Sequence, residues 1–139
     1  VTGNNGNYVR NVFLTITDKT TLKSKVKWLT TYNPKSRTVS VSEVRTVKLS
    51  DDYMAMMYTV TKKDKDTLHY VVVNNAGKVV CHKTYKNMIF SAATQPILHN
   101  GSIVWTDAIY YWKKIKTKKS YYYKQQEKHY FYKIPAVIK

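Results

Sequence analysis

Two runs of the chain are apolar or aromatic at every position, and they constrain the fold more than any other feature. Tyr53-Met54-Ala55-Met56-Met57-Tyr58 has no polar interruption, and neither has Tyr70-Val71-Val72-Val73. Each is bounded by turn formers, Ser50-Asp51-Asp52 before the first and Asn74-Asn75-Ala76-Gly77 after the second, so each reads as a strand. A sheet with one wet face would alternate apolar and polar residues along its strands. Strands without that alternation must be covered from both sides. Sheets packed face to face in series do this, as in a propeller or a layered sandwich.

Elsewhere helical periodicity is hard to find, and short alternating runs rich in Val, Thr, Tyr and Lys recur between polar turns. Strands are expected over 8–17, 25–32, 38–49, 53–61, 67–74, 78–85, 94–99, 102–112 and 128–138. Val26, Trp28, Thr30 and Tyr32 should share a face. The alternation changes phase near Glu43-Val44, which a bulge would explain. Turns are expected at Asp18–Thr21, at Asn33-Pro34-Lys35-Ser36 and in the charged stretch 62–66. Asn100-Gly101 is the strongest short hairpin signal, and Pro135 should end the last strand because it cannot donate to a ladder.

An internal repeat runs through these strands. Val47–Tyr58 aligns with Ile97–Trp105, each reading apolar pair, polar turn, apolar run, large aromatic. Leu68–Val73 resembles His129–Ile134, and Asn11–Asp18 resembles the same strand again. The spacing from Tyr58 to Trp105 is about one propeller repeat, ~40–50 residues, so these two rings are expected at equivalent core positions. The expected fold is all-β, with antiparallel multi-strand repeats forming propeller-like blades. Two strands would belong to one blade, four to the next and three to another. A closed ring needs ~4–8 blades, so this ring would be partial or completed by oligomerisation. A two-sheet β-sandwich is the alternative. At 139 residues the chain reads as a single β module, with approximate units over 8–32, 38–86 and 94–138.

Charge narrows the partners. Twenty-four Lys and Arg against eight Asp and Glu leave a formal charge of +16, and only Arg10, Arg37 and Arg45 are arginines. Lys is a hydrated point charge, whereas Arg is the usual fork for reading bases. The excess therefore points to general attraction for polyanions: a polyanionic cell-wall polymer or polysaccharide first, nucleic acid less so. No apolar run approaches the ~18 residues that a membrane helix needs. Beginning at Val1 without an apolar leader, the sequence reads as a processed protein or a fragment, with any targeting signal outside it. Cys81 is the single cysteine and, within Val79-Val80-Cys81, reads as a buried structural thiol.

Several segments together resemble a known kind of repeat. They are Trp28-Leu29-Thr30, Thr38-Val39-Ser40-Val41, Val47-Lys48-Leu49-Ser50-Asp51-Asp52, Gly77-Lys78-Val79-Val80, Gln95-Pro96 leading to Asn100–Trp105, and Tyr132-Lys133-Ile134. They resemble the propeller-like β-repeat regions of large secreted surface proteins of Gram-positive gut bacteria, over roughly residues 12–134. The resemblance implies a propeller-like fold and an extracellular or cell-surface setting, and it carries over no catalytic residue. Against that pattern, residues 110–127 read as an insertion.

Sites for chemistry are scarce. Most of the eight acids fall in expected turns, and adjacent residues such as Asp51 and Asp52 would point to opposite faces of a strand. Asp64-Lys65-Asp66 lacks the Gly and the later Glu of a calcium loop. His69, His82, His99 and His129 show no ligand spacing with Cys81 or the acids, and Cys81 and His82 should lie on opposite faces. No phosphate-binding glycine loop or serine elbow is present. The chain is thus expected not to be an enzyme and to hold no cofactor or metal. The segment with a sharper reading is the Lys- and Tyr-rich insertion, where eight Lys and one acid, Glu127, fall between 113 and 133. Trp112, Lys113, Lys114, Lys116, Lys118, Lys119, Tyr121, Tyr122 and Tyr123 are the candidate ligand contacts: Lys attracts anions while rings stack on sugars or bases. The plainer reading is a long hairpin whose rings pack across strands while Lys keeps its edge soluble. A structural or adhesive surface module, a carbohydrate-binding module and a basic nucleic-acid-binding or toxin domain are the competing functions.

Overall fold

The computed structural model describes residues 10–33, 39–41, 44–63, 65–90, 94–118 and 120–138. Tyr8 at the start of the first expected strand, most of the Asn33–Ser36 turn, and Glu43, Asp64 and Lys119 lie outside the described residues. The fold is all-β and antiparallel. Its strands are β1 (Phe13–Thr17), β2 (Ser24–Trp28), β3 (Val39–Val41), β4 (Arg45–Lys48), β5 (Tyr53–Lys62), β6 (Lys65–Asn74), β7 (Val79–Lys86), β8 (Ile97–His99), β9 (Ser102–Lys116) and β10 (Tyr121–Pro135). They form three sheets filled in chain order: β1–β2, then β3 and β4 side by side on one edge of β5–β6–β7, then β8–β9–β10. The phase change near residue 44 thus appears as two short strands, each pairing a different stretch of β5.

The middle sheet is buried on both faces, as its uninterrupted apolar strands require. On one face Ala55, Met57, Leu68, Tyr70, Val72 and Cys81 pack with Phe90 and with Ile103, Trp105 and Ile134 of the third sheet. On the other, Met56, Tyr58, Val60, Val71 and Val73 pack with Val12, and Leu14, Leu29 and Tyr32 lie against them. Period-2 alternation therefore sends neighbouring residues of one strand into two different cores. Cys81 and His82 divide in this way, the thiol buried and the imidazole exposed.

The joints explain how the layers are held. Asn100 and Gly101 take φ of 45° and 69° between the paired residues His99 and Ser102, the twist that a two-residue hairpin favours. Gly77 has φ 70°, and a Cβ there would fall 2.1 Å from Ile16 Cδ1, so the first sheet packs tightly on the turn after β6 and leaves no room for a side chain. Lys27 Nζ donates to Gly77 O at 3.4 Å across the same seam. Beyond β2 the first sheet is tied off by side chains: Tyr32 N and Thr30 Oγ1 both donate to Asn11 Oδ1, at 2.7 and 3.1 Å, and Val12 N donates to Thr30 Oγ1 at 2.8 Å. β10 ends at Pro135, and Ala136 N donates to Gly101 O at 3.0 Å.

Tyr58 and Trp105 occupy corresponding places. Each faces the sheet that precedes its own in the chain, and each stacks on the ring paired with it across the next strand. Tyr58 stacks on His69 and Trp105 on Tyr132, both with centroids 5.0 Å apart. Strand readings need correction at two places. β2 ends at Trp28, and Val26, Trp28, Thr30 and Tyr32 do not share a face: the first two are exposed, Thr30 is buried, and Tyr32 packs against the middle sheet. The stretch 113–127, outside the expected strands 102–112 and 128–138, continues both as a long hairpin: β9 runs to Lys116 and β10 begins at Tyr121. Unbroken Tyr- and Lys-rich sequence pairs readily as a two-stranded ribbon, since its solvated faces need no apolar alternation.

Candidate functional site

Past Asp107, the last buried residue of β9, the β9–β10 pair leaves the core and continues as a solvent-exposed ribbon. Its register is unbroken from Pro135↔Ser102 to Tyr121↔Lys116. The tip is closed locally: Thr117 N and Oγ1 both donate to Ser120 O, at 2.8 and 3.0 Å, and Ser120 N returns a bond to Thr117 Oγ1 at 3.0 Å.

Alternation and register divide the candidate contacts between two faces. One face carries Tyr110, Trp112, Lys114 and Lys116 from β9 opposite Tyr121 and Tyr123 from β10. The other carries Tyr111, Lys113 and Ile115 opposite Tyr122, Lys124 and Lys128. Lys118 sits in the tip. The residues expected to act as one patch are therefore two back-to-back surfaces: Trp112, Lys114, Lys116, Tyr121 and Tyr123 together, with Lys113 and Tyr122 behind them.

The first face is the richer in exposed rings, with Tyr110 60%, Trp112 67%, Tyr121 59% and Tyr123 63% accessible. Lys114 Nζ lies 3.8 Å from the Tyr121 ring centroid, so cation and ring are presented as a unit. On the second face Tyr111 is braced, its hydroxyl donating to Gln126 Oε1 at 2.8 Å and Lys128 Nζ standing 5.3 Å from its ring centroid. Glu127 is occupied at the ribbon base: its hydrogen bond with Tyr110 pushes that phenol's pKa up, and His129 Nε2 lies 3.3 Å from its carboxylate. The lysines nearer the tip thus keep their positive field.

Other polar groups have structural work. Asp18 accepts from Thr21 N at 2.7 Å, Thr21 Oγ1 at 3.0 Å and Thr20 N at 2.9 Å, and these bonds hold its carboxyl below the ordinary range while closing the β1–β2 turn. That turn borders an open cleft of ≈ 720 Å³, shared with Lys19, Lys23, Asp51 and Asn75. Asp51 pairs with Lys48 at 2.6 Å and Asp52 accepts from Asn75 Nδ2 at 3.2 Å, so the adjacent carboxylates have separate partners. Among the described residues no group of three or more His, Cys, Asp or Glu could hold a metal ion. Among the described residues no helix is long and apolar enough to cross a membrane.

Sequence spacing missed one pair. His69 on β6 and His82 on β7 meet side by side, Nδ1 of the first 3.0 Å from Nε2 of the second. Burial, and next the neighbouring imidazole, hold the His69 pKa below its ordinary value. The unfolded chain therefore takes up this proton first, so stability should fall as pH drops from ~6.5 toward the lower folded-state value, then level off. Urea midpoints at neutral and mildly acidic pH are expected to show this loss, and to show less of it in His69→Phe, which keeps the stack on Tyr58. An equal acid loss in both proteins would assign the effect elsewhere.

Compared with protein-family models, curated proteins and solved structures, the chain matches none of them.

Proposed function

We propose that this chain is a non-catalytic, structural or adhesive β module of a bacterial extracellular surface protein, and that it holds polyanionic cell-wall or glycan polymers on its projecting ribbon. The observation carrying this reading is the ribbon itself: a continuously paired arm with lysines on both faces and at its tip, and exposed rings interleaved with them, most of them on one face. The bacterial surface setting rests on the sequence resemblance. Lys114 and Lys116, two apart on one strand, stand about 7 Å apart on one face, within reach of successive anions of a polymer. Trp112, Tyr121 and Tyr123 beside them offer flat surfaces to sugar rings. This face also supports the narrower reading of a carbohydrate-binding module, which would depend on the rings more than on charge.

The test replaces Lys113, Lys114, Lys116, Lys118 and Lys119 with Gln and measures binding to teichoic acid and to a heparin-like polymer at two salt concentrations. Exposed charges are screened over ~8 Å at physiological ionic strength. Wild-type affinity is therefore expected to fall steeply with salt, and the variant to bind at least tenfold more weakly with unchanged stability. Unaltered binding would refute the polyanion reading. Binding to an uncharged glycan, insensitive to salt and lost in Trp112→Ala, would favour the carbohydrate-binding module. Tighter binding to a duplex of comparable charge would favour nucleic acid.

A further inference from the structure

The free outer face of the first sheet differs in chemistry from the rest of the molecule. Pairing places Phe13, Thr15 and Thr17 of β1 beside Trp28, Val26 and Ser24 of β2. None of the six is charged, in a chain with twenty-four Lys and Arg. Lys25 and Lys27 point the other way, with Leu14 and Ile16, toward the middle sheet. On the free face Phe13 is 49%, Val26 58% and Trp28 57% exposed. Phe13 and Trp28 also form a paired cross-strand contact, edge to face with centroids 5.3 Å apart.

That contact has two counterparts in the molecule. Tyr58–His69 and Trp105–Tyr132 are likewise rings on paired residues of neighbouring strands, and both lie on the face turned to the preceding sheet. Phe13–Trp28 holds the corresponding position on the first sheet. At the opposite end of the stack, the outer face of the third sheet carries apolar side chains near the core: Ile97 paired with Val104, and Phe131 paired with Thr106, with Ile97 56% and Phe131 68% exposed and the exposed Lys133, paired with Val104, beside them. This surface relates to the third sheet as the Met57–Tyr70 face relates to the middle one.

We propose that copies of this chain associate head to tail, the outer face of the third sheet of one copy seating on the Phe13–Val26–Trp28 face of the next. The contact continues the stacking that already joins the sheets within one copy. It is heterologous, using two different patches, and so builds closed rings or open chains of copies rather than a twofold dimer. Net charge opposes it, and salt removes that opposition. Self-association and polyanion binding therefore respond to salt with opposite signs, and either can fail without the other.

Sedimentation equilibrium of the full chain over a concentration series, at low and high salt, tests the contact without any substitution. Concentration-dependent association that strengthens with salt is expected, and a monomer at every concentration and salt would overturn the proposal. Two exposed-face variants then test the geometry. Val26→Lys with Trp28→Lys blocks one end, and Ile97→Lys with Phe131→Lys blocks the other. Each should be monomeric alone, and an equimolar mixture should form a dimer and stop there, because the one intact end of each variant is used in the contact and both ends left over are blocked. Association that survives in either variant alone, or a mixture that stays monomeric, would refute the head-to-tail arrangement. Circular dichroism keeps the reading clear, and Trp28→Ser serves as a milder block if a lysine pair disturbs the fold.

Discussion

Replacing Trp105 with Ala is expected to destabilise the protein by about 3–5 kcal/mol, the range for truncating a large buried ring. Only 3% of the residue is exposed. Its ring stacks on Tyr132 at 5.0 Å and lies 5.1 Å from Phe90, and Nε1 donates to Ile89 O at 3.2 Å. Truncation therefore opens a cavity between two sheets and leaves a carbonyl without its donor. Against a typical stability of about 5–15 kcal/mol, that is a large share. Trp112→Ala is the internal control: two-thirds exposed on the ribbon, it should change stability by no more than about 0.5 kcal/mol. Chemical denaturation of both variants gives the answer, and a loss under about 1 kcal/mol at Trp105 would contradict the layered core.

Raising the pH should unfold the protein through its tyrosines. Burial pushes the hydroxyls of Tyr58 and Tyr70 up to about 12, from an ordinary value of 10.0. Tyr58 lies on one face of the middle sheet and Tyr70 on the other, with Tyr70 Oη donating to Val137 O at 2.8 Å. The folded state holds these protons more tightly than the unfolded state does. The stabilisation is thus fully present below pH 10 and is lost as pH rises from about 10 to 12. Tyrosinate absorbance should show an early group and a late group, with the late group appearing together with loss of β structure. Tyr58→Phe should shift that unfolding to higher pH, and a pH profile unchanged in this variant would mean that the ring is not the cause.

Much of this architecture was legible because double-sided burial erases the strand alternation. The run Tyr53–Tyr58 could be satisfied only by a sheet with cover on both faces, and Asn100-Gly101 and Pro135 marked a turn and a strand end through backbone chemistry alone. The candidate site was legible in composition but not in layout. Which lysines share a face with which rings depends on the cross-strand register, and a solvated ribbon has no buried side to reveal that register in the sequence. His69 and His82, thirteen residues apart in the chain, meet only because β6 and β7 pair as they do. Asp107 was equally hidden: a carboxylate in a strand reads as a solvent-facing residue, yet it is 5% exposed.

Because the sheets fill in chain order, even the widest-spaced strand partners, Ser102 and Pro135, belong to a single hairpin. Closing such short loops costs little chain entropy, and hairpins form in about 1–10 μs, so each sheet can zip up before the next is needed. This locality should let the molecule fold faster than β-sandwiches whose strands cross between sheets. It also sets an order of exposure as the chain emerges during synthesis. Until Ile97 and the residues after it arrive, the Ala55, Met57, Leu68, Tyr70 and Val72 face has no third sheet over it. A nascent or truncated chain ending there would present a sticky β surface, so the interval before the third sheet docks is when this protein is most exposed to aggregation.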